Sequence, residues 1–356
     1  MSRDDLPRAG FPRIIATLGT TTDDPAVLAA MVAAGMGMAR INSAYASLDE
    51  LRQRVGLAHA AGVPVMLDLK GPQLRIECTT EKRDEHGNLT TVPCRYPVAQ
   101  GEVICVGFEH GPVHFNSTFD LDPGDVVTFD NGTIRTRVID PAARGFAPPE
   151  NAVLLEVIDA GAGKLAPRVG ANVPGRRLDV PQLSGRDLQT IALGVELHVG
   201  WYALSFVRDA ADVLHLDAAL RRAGDAAAGL TIKIEEQGGI DRLESIVEAA
   251  RGTARPLAVM IARGDLFVEL PWSRLPAIQA DLLQRCRALG VPAIVATGLL
   301  LSMQHSPVPA RSEVCDVAAA ASADSFLLSD ETSNSKFPVA AVRALAELIA
   351  VYGGRS

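Results

Sequence analysis

Lys233 and Glu235 lie two residues apart in the apolar run "LTIKIE", and Asp265 closes another apolar run, "PLAVMIARGD". Side chains two apart on a strand share a face, so Lys233 and Glu235 point the same way, as do Arg40 and Asn42 in "MGMARIN". A strand interior seldom carries a lysine and a glutamate together unless both face something polar. Two carboxylates at neighbouring strand ends suit a hard divalent cation that keeps water and substrate oxygens in its shell. Arg40, Arg75, Lys233 and Arg208 are the cations placed to surround them. Such a convergence meets the demand of phosphoryl transfer, whose transition state spreads negative charge over the phosphoryl oxygens. One lysine or glutamate at a strand end is commonly a solvated rim residue. Six polar strand ends aimed at one mouth are not.

Elements that bring these residues together follow from the apolar pattern. Short apolar runs alternate with amphipathic helical stretches: "RIIATLG" then "DPAVLAAMVAAG", "MGMARIN" then "LDELRQRVGLAHAAG", then "VPVMLDLKG". The alternation stops after Pro72, where residues 73–172 are strand-like and punctuated by "DPGD", "DNG" and "DAGAG". It resumes with five further strand–helix units, ending in "DSFLLSD" and "PVAAVRALAELIAVYGG". Three units before the insert and five after it predict an α/β fold, a (β/α)8 TIM barrel over residues 1–72 and 173–356. An inserted all-β domain covers 73–172. A doubly wound open sheet is the structural alternative.

In such a barrel the reacting residues sit at C-terminal strand ends. Those ends read Arg40-Ile41-Asn42, Asp68-Leu69-Lys70 with Arg75 soon after, and Ser205-Phe206-Val207-Arg208. Then come Lys233-Ile234-Glu235, Arg263-Gly264-Asp265, Ala296-Thr297 and Ser329-Asp330-Glu331-Thr332.

The net charge of −8 counts against bulk affinity for nucleic acid or an anionic membrane. No apolar run is long enough for a membrane span. The opening "MSRDDLPRAG" has no apolar signal core, and five widely spaced cysteines suit a reducing compartment, so a cytoplasmic protein is expected. That removes the adhesion reading of Arg263-Gly264-Asp265. "GAGKL" lacks the upstream glycine of a phosphate loop and is expected to be a turn. Cys315 is expected to pack within a helix, and Phe267 to pack under its loop.

Nine stretches in order ("ARINSAYAS", "LDLKGPQLR", "NVPGRRLDVP", "SFVR", "IKIEEQGGI", "ARGDLFVELP", "ATGLL", "PVPARSEVCDVAAA", "LLSDETSNSKFP") resemble the successive motifs of pyruvate kinases. The resemblance runs from about Arg13 to Ala350, and the family's C-terminal regulatory domain has no counterpart in it. It implies Mg2+ (or Mn2+) on Glu235 and Asp265. It implies Lys233, Arg75, Thr297 and Arg40 as the catalytic set. Phosphoenolpyruvate would be held by Ala262, Arg263, Gly264, Asp265, Thr297 and Ser205, its carboxylate on backbone N–H groups near Gly264. Asn42, Asp68 and Leu69 would frame a monovalent ion, while Arg75 and Arg168 would meet ADP. The inserted domain would close as a lid, and the assembly would be a monomer or a dimer through the barrel.

The departures from the pattern are uneven. Ala44, Tyr45 and Gln73 replace groups around the family's potassium ion, which counts against a K+ requirement. Arg168-Val169 keeps half of a basic pair, and Glu236, Gly298, Asp330 and Phe267 replace an Asn, a Gln and two Gly. The metal and enolpyruvate residues are kept. Three functions therefore stand: phosphate transfer from phosphoenolpyruvate to ADP; a Mg2+-dependent enzyme of 2-oxo-acid enolates; or a silent binder of phosphoenolpyruvate or a 2-oxo acid.

Overall fold

The computed structural model describes residues 11–44, 46–72, 74–83, 88–130, 132–142, 145, 149, 151–176 and 180–353. Eight parallel strands close into a barrel. They are β1 (Ile14–Thr17), β2 (Met38–Asn42), β3 (Val65–Asp68), β4 (Trp201–Leu204), β5 (Gly229–Ile234), β6 (Leu257–Ala262), β7 (Ala293–Ala296) and β8 (Ser325–Leu328). Each pairs with its neighbour in the chain, and β1 closes on β8 from Ile14 opposite Phe326 to Ala16 opposite Leu328. The (β/α)8 fold expected from the alternation is the fold found.

These strands are mostly apolar because helices cover one face and the barrel interior the other, and their polar residues gather towards the C-terminal ends. Their connecting helices begin where the sequence supplies a cap. Asp24 accepts from the Ala26 amide ahead of Pro25, and Ser47 with Glu50, like Ser184 with Asp187, forms a reciprocal capping box.

The barrel is filled from the bottom by Ile15, Met38, Met66, Ala203, Ala258, Met260, Ile294, Ala296 and Leu327. Arg40, Asp68 and Ser205 follow Met38, Met66 and Ala203 by two residues, so the pleat turns them into the same interior one layer higher. Apolar layers thus give way to charge at the mouth.

By compactness the chain divides in two: Met1–Gly71 with Gln182–Leu266 and Ser273–Ser356, and Pro72–Pro181 with Phe267–Trp272. The second unit is a barrel-like sheet of eight strands, running from Val169–Asn172 at one end to Leu89–Pro93 at the other. Val169–Asn172 also pairs with Leu74–Arg83. Its core contains Ile76, Val106, Phe115, Phe129 and Leu155, with the Phe115 ring 5.0 Å from that of Phe119. "GAGKL" is not turn throughout, because Lys164–Leu165 pairs with Tyr96–Pro97 as a short strand. Among the described residues no helix is long and apolar enough to cross a membrane.

Candidate active site

The end of β5 delivers Lys233 into the barrel, where its ammonium meets three acceptors. Ser205 Oγ lies at 2.7 Å, Asp68 Oδ1 at 3.2 Å and Glu235 Oε1 at 3.1 Å. Ser205 and Asp68 take its hydrogen bonds, and Glu235 stands beside it as an ion pair. Ser205 donates onward to the Leu69 carbonyl at 2.8 Å. Glycine is needed beside it, because a Cβ on Gly71, whose φ is +63°, would stand 3.0 Å from the Ser205 side chain.

Asp68 is the hub. Its second oxygen accepts from Arg40 Nε at 2.8 Å and has Nη2 of the same guanidinium 2.7 Å away, so one edge of Arg40 rests on a single carboxylate oxygen. Arg40 Nη1 donates to Thr17 Oγ1 at 2.9 Å, and Thr17 in turn donates to the Leu328 carbonyl, linking β1, β2, β3 and β8. Thr17 is the last residue of β1, so the rule that places functional residues at C-terminal strand ends covers it as well.

Burial and charge oppose each other here. Burial pushes Asp68 upward, but Lys233 and Arg40 outweigh it and hold the carboxyl below its usual range. Lys233 is pulled down by burial yet ends up raised, through Asp68 and Glu235 and then Asp265. Glu235, 1% exposed, is pushed up to about 7 by burial. Lys233 opposes this shift, while Asp265 and Asp68 add to it. The Phe206 amide donates to Glu235 at 2.6 Å. A carboxyl reluctant to ionise because it is buried, and then because two other acids lie near, is a good seat for a divalent cation.

After β6 the chain turns directly into the helix Arg263–Glu269. A Cβ on Gly264 would lie 3.0 Å from Thr297 Cγ2, so glycine lets the end of β7 come this close. Thr297 has φ +76°, a left-handed conformation that costs a β-branched residue about 1–3 kcal/mol. Arg263 does not reach into the mouth as its type suggested. It is 8% exposed, and its guanidinium lies on the Thr297 carbonyl, Gln279 and Asp316.

Other expected residues are placed as follows. Asn42 Oδ1 accepts from the Ala44 amide at 3.0 Å, and the Leu69 amide donates to Ala203. Arg208 is drawn towards Asp212 and Glu236, 3.7 Å from each, and to Gln182. In the second unit Arg75 Nη1 donates to the Arg168 carbonyl at 2.7 Å, and Arg168 has φ +64°. Tyr45 and Gln73 lie outside the described residues. Two packing expectations are corrected: Phe267 is 51% exposed, and Cys315 is exposed on its helix. Glu331, named at the end of strand 8 without a role, is buried and accepts from the Ser329 amide at 2.6 Å and the Leu300 amide at 3.3 Å, tying the loops after β7 and β8 together.

Comparison with known proteins matches residues 11–342 to the pyruvate kinase barrel domain. A pyruvate kinase of Bacillus licheniformis is 31% identical over 342 residues, which are 94% of this chain and 55% of that protein. One from Agrobacterium vitis is 33% identical over 350 residues, covering 95% of this chain and 67% of the relative. One from Kluyveromyces lactis is 32% identical, covering 94% and 66%. The chain thus spans about half to two thirds of the length of these relatives. With all eight barrel strands inside the match, the chain belongs to the pyruvate kinase family.

Proposed function

We propose that the chain transfers the phosphoryl group of phosphoenolpyruvate to ADP, giving pyruvate and ATP. The observation that carries this reading is Lys233, a buried ammonium at the barrel mouth between two acids and Ser205. A lysine held charged there supplies what a migrating phosphoryl group and the enolate it leaves behind both need. Glu235 and Asp265 fit Mg2+ or Mn2+, since such ions use one or two carboxylates and leave the remaining positions to water and phosphate. When bound, the cation would neutralise phosphoryl oxygens.

The protein's own groups do the rest. Lys233 and Arg40 hold negative charge on the substrate phosphate. The backbone from Ala262 to Asp265 takes the carboxylate, with Ser205 holding Lys233. Thr297 would hold a proton for the enolate carbon. By resemblance rather than geometry, Arg75 and Arg168 are assigned to the phosphates, Asn42, Asp68 and Leu69 to any monovalent ion, and residues 73–172 to a closing lid. A cytoplasmic enzyme, monomeric or dimeric through its barrel, completes the proposal.

The test is to incubate the chain with Mg2+, phosphoenolpyruvate and ADP, with and without K+, and to follow pyruvate and ATP. Lys233→Met should remove product formation by at least about 10³-fold, the scale of a lost electrostatic stabiliser. A second reading, enolate chemistry with another acceptor, is favoured by Arg75 being engaged on Arg168 and by Gly298 where the family has glutamine. Mg2+-dependent deuterium exchange into pyruvate without ATP would select it. Neither activity, with phosphoenolpyruvate still raising the melting temperature, would leave a binding protein.

A further inference from the structure

Arg263 stands next to two residues proposed for the site, yet its charge faces the scaffold. Nη2 donates to the Thr297 carbonyl at 2.7 Å, and Nε approaches the same oxygen at 3.1 Å and the Ala296 carbonyl at 3.4 Å. Nη1 donates to Gln279 Oε1 at 3.1 Å and Asp316 Oδ1 at 2.8 Å. One planar fork thus joins the end of β6, the end of β7, the helix Leu275–Ala288 and the helix Arg311–Ala319. Its target is the carbonyl of a residue in a conformation that L side chains with branched Cβ avoid. Gly298, next in the chain, is left-handed as well, so nothing local favours turning Thr297.

The geometry points to Arg263 as a positioning residue that clamps Thr297 in its left-handed conformation, seating the Thr297 side chain against Gly264. A guanidinium suits this task better than an ammonium, because its donors are fixed in one plane and reach the carbonyl and two side-chain acceptors at once. Holding a residue in a sparsely populated region requires surroundings that over-determine it, and four elements meeting on one cation do so. The kinetic side of this inference rests on the phosphotransfer reading above; the conformational side does not.

The experiment uses the full chain with threonine methyls labelled for NMR, comparing wild type, Arg263→Met and Asp316→Asn. Asp316 is partly exposed on its helix, so its variant loosens the clamp should Arg263→Met fail to fold. In both variants the contact between the Thr297 methyl and the Gly264 α-protons should weaken or vanish. In Arg263→Met, kcat should fall about 10²-fold, the usual effect of an ångström of misplacement, with KM for phosphoenolpyruvate within about threefold. Asp316→Asn should move both readouts the same way by less. An unchanged methyl contact in the folded variants, or a loss confined to KM, overturns the inference. A wild-type chain without turnover would count against the phosphotransfer reading alone, and the methyl contact would then decide the clamp by itself.

Discussion

Replacing Asp68 by asparagine should expose how tightly the barrel mouth depends on one carboxylate. Asp68 is 1% exposed and faces two cations, Arg40 at 2.7 Å and Lys233 at 3.2 Å. With Arg40, Lys233, Asp68 and Glu235 all ionised the cluster is neutral. The substitution leaves two buried cations against one acid. Removing one partner of a buried, hydrogen-bonded pair costs about 3–5 kcal/mol, because the charge left behind is desolvated and unpaired. At roughly 2–4 °C per kcal/mol for a domain of this size, the melting temperature should drop by about 6–20 °C.

The sign with pH can be worked out. Asp68 is held below its usual range by Lys233 and Arg40, so its contribution is complete above the unfolded value of 3.8 and is lost only as pH falls through the lower folded value. Glu235 is the reverse, pushed up to about 7, so at pH 5 it is protonated and Asp68 is the remaining acid facing both cations. The penalty of Asp68→Asn should therefore be larger at pH 5 than at pH 8. Differential scanning calorimetry of the metal-free chain at the two pH values measures this. Arg40→Met in the same background restores neutrality and should recover part of the loss. A drop under about 1 kcal/mol at pH 8, or a double variant worse than the sum of the singles, would refute the charge-balance argument.

Glu235 must lose its proton before a cation can use both oxygens, so Mg2+ or Mn2+ affinity should rise about tenfold per pH unit up to about 7 and then level off. Titration calorimetry in buffers of differing ionisation enthalpy should also find about one proton released at pH 6 and almost none at pH 8. Phe267 lies about 200° round its helix from Asp265, so the two side chains do not share a face. Phe267→Gly should leave kcat/KM for phosphoenolpyruvate within about twofold, and a large gain in steady-state turnover would show that the ring obstructs substrate after all.

What the sequence made legible is what depends on short-range periodicity. The spacing of two between Lys233 and Glu235 places both in the barrel, and it needs no knowledge of any other strand. The same holds for Arg40 above Met38 and Asp68 above Met66. The eight units followed from helical and strand periods, and the pause after Pro72 followed from their loss.

The unread part depends on partners far away in the chain. Resemblance assigns Asp68 to a monovalent ion, but its ion pairs depend on Arg40, 28 residues away, and Lys233, 165 away. Arg263 shows the limit most clearly. At the end of an apolar strand, beside Gly264 and Asp265, its type and position match those of a cation reaching into the mouth. A long side chain at a strand end can instead fold back, and the choice is made by acceptors that local pattern does not report: Gln279, Asp316 and the Thr297 carbonyl, 53 residues away at most. Thr297 is hidden for a related reason. Gly298 accounts for a left-handed turn in "ATGLL" by itself, so the sequence gives no cause to suspect the threonine before it. Strain in one residue, imposed by a charge from another strand, becomes visible only when both strands are in place.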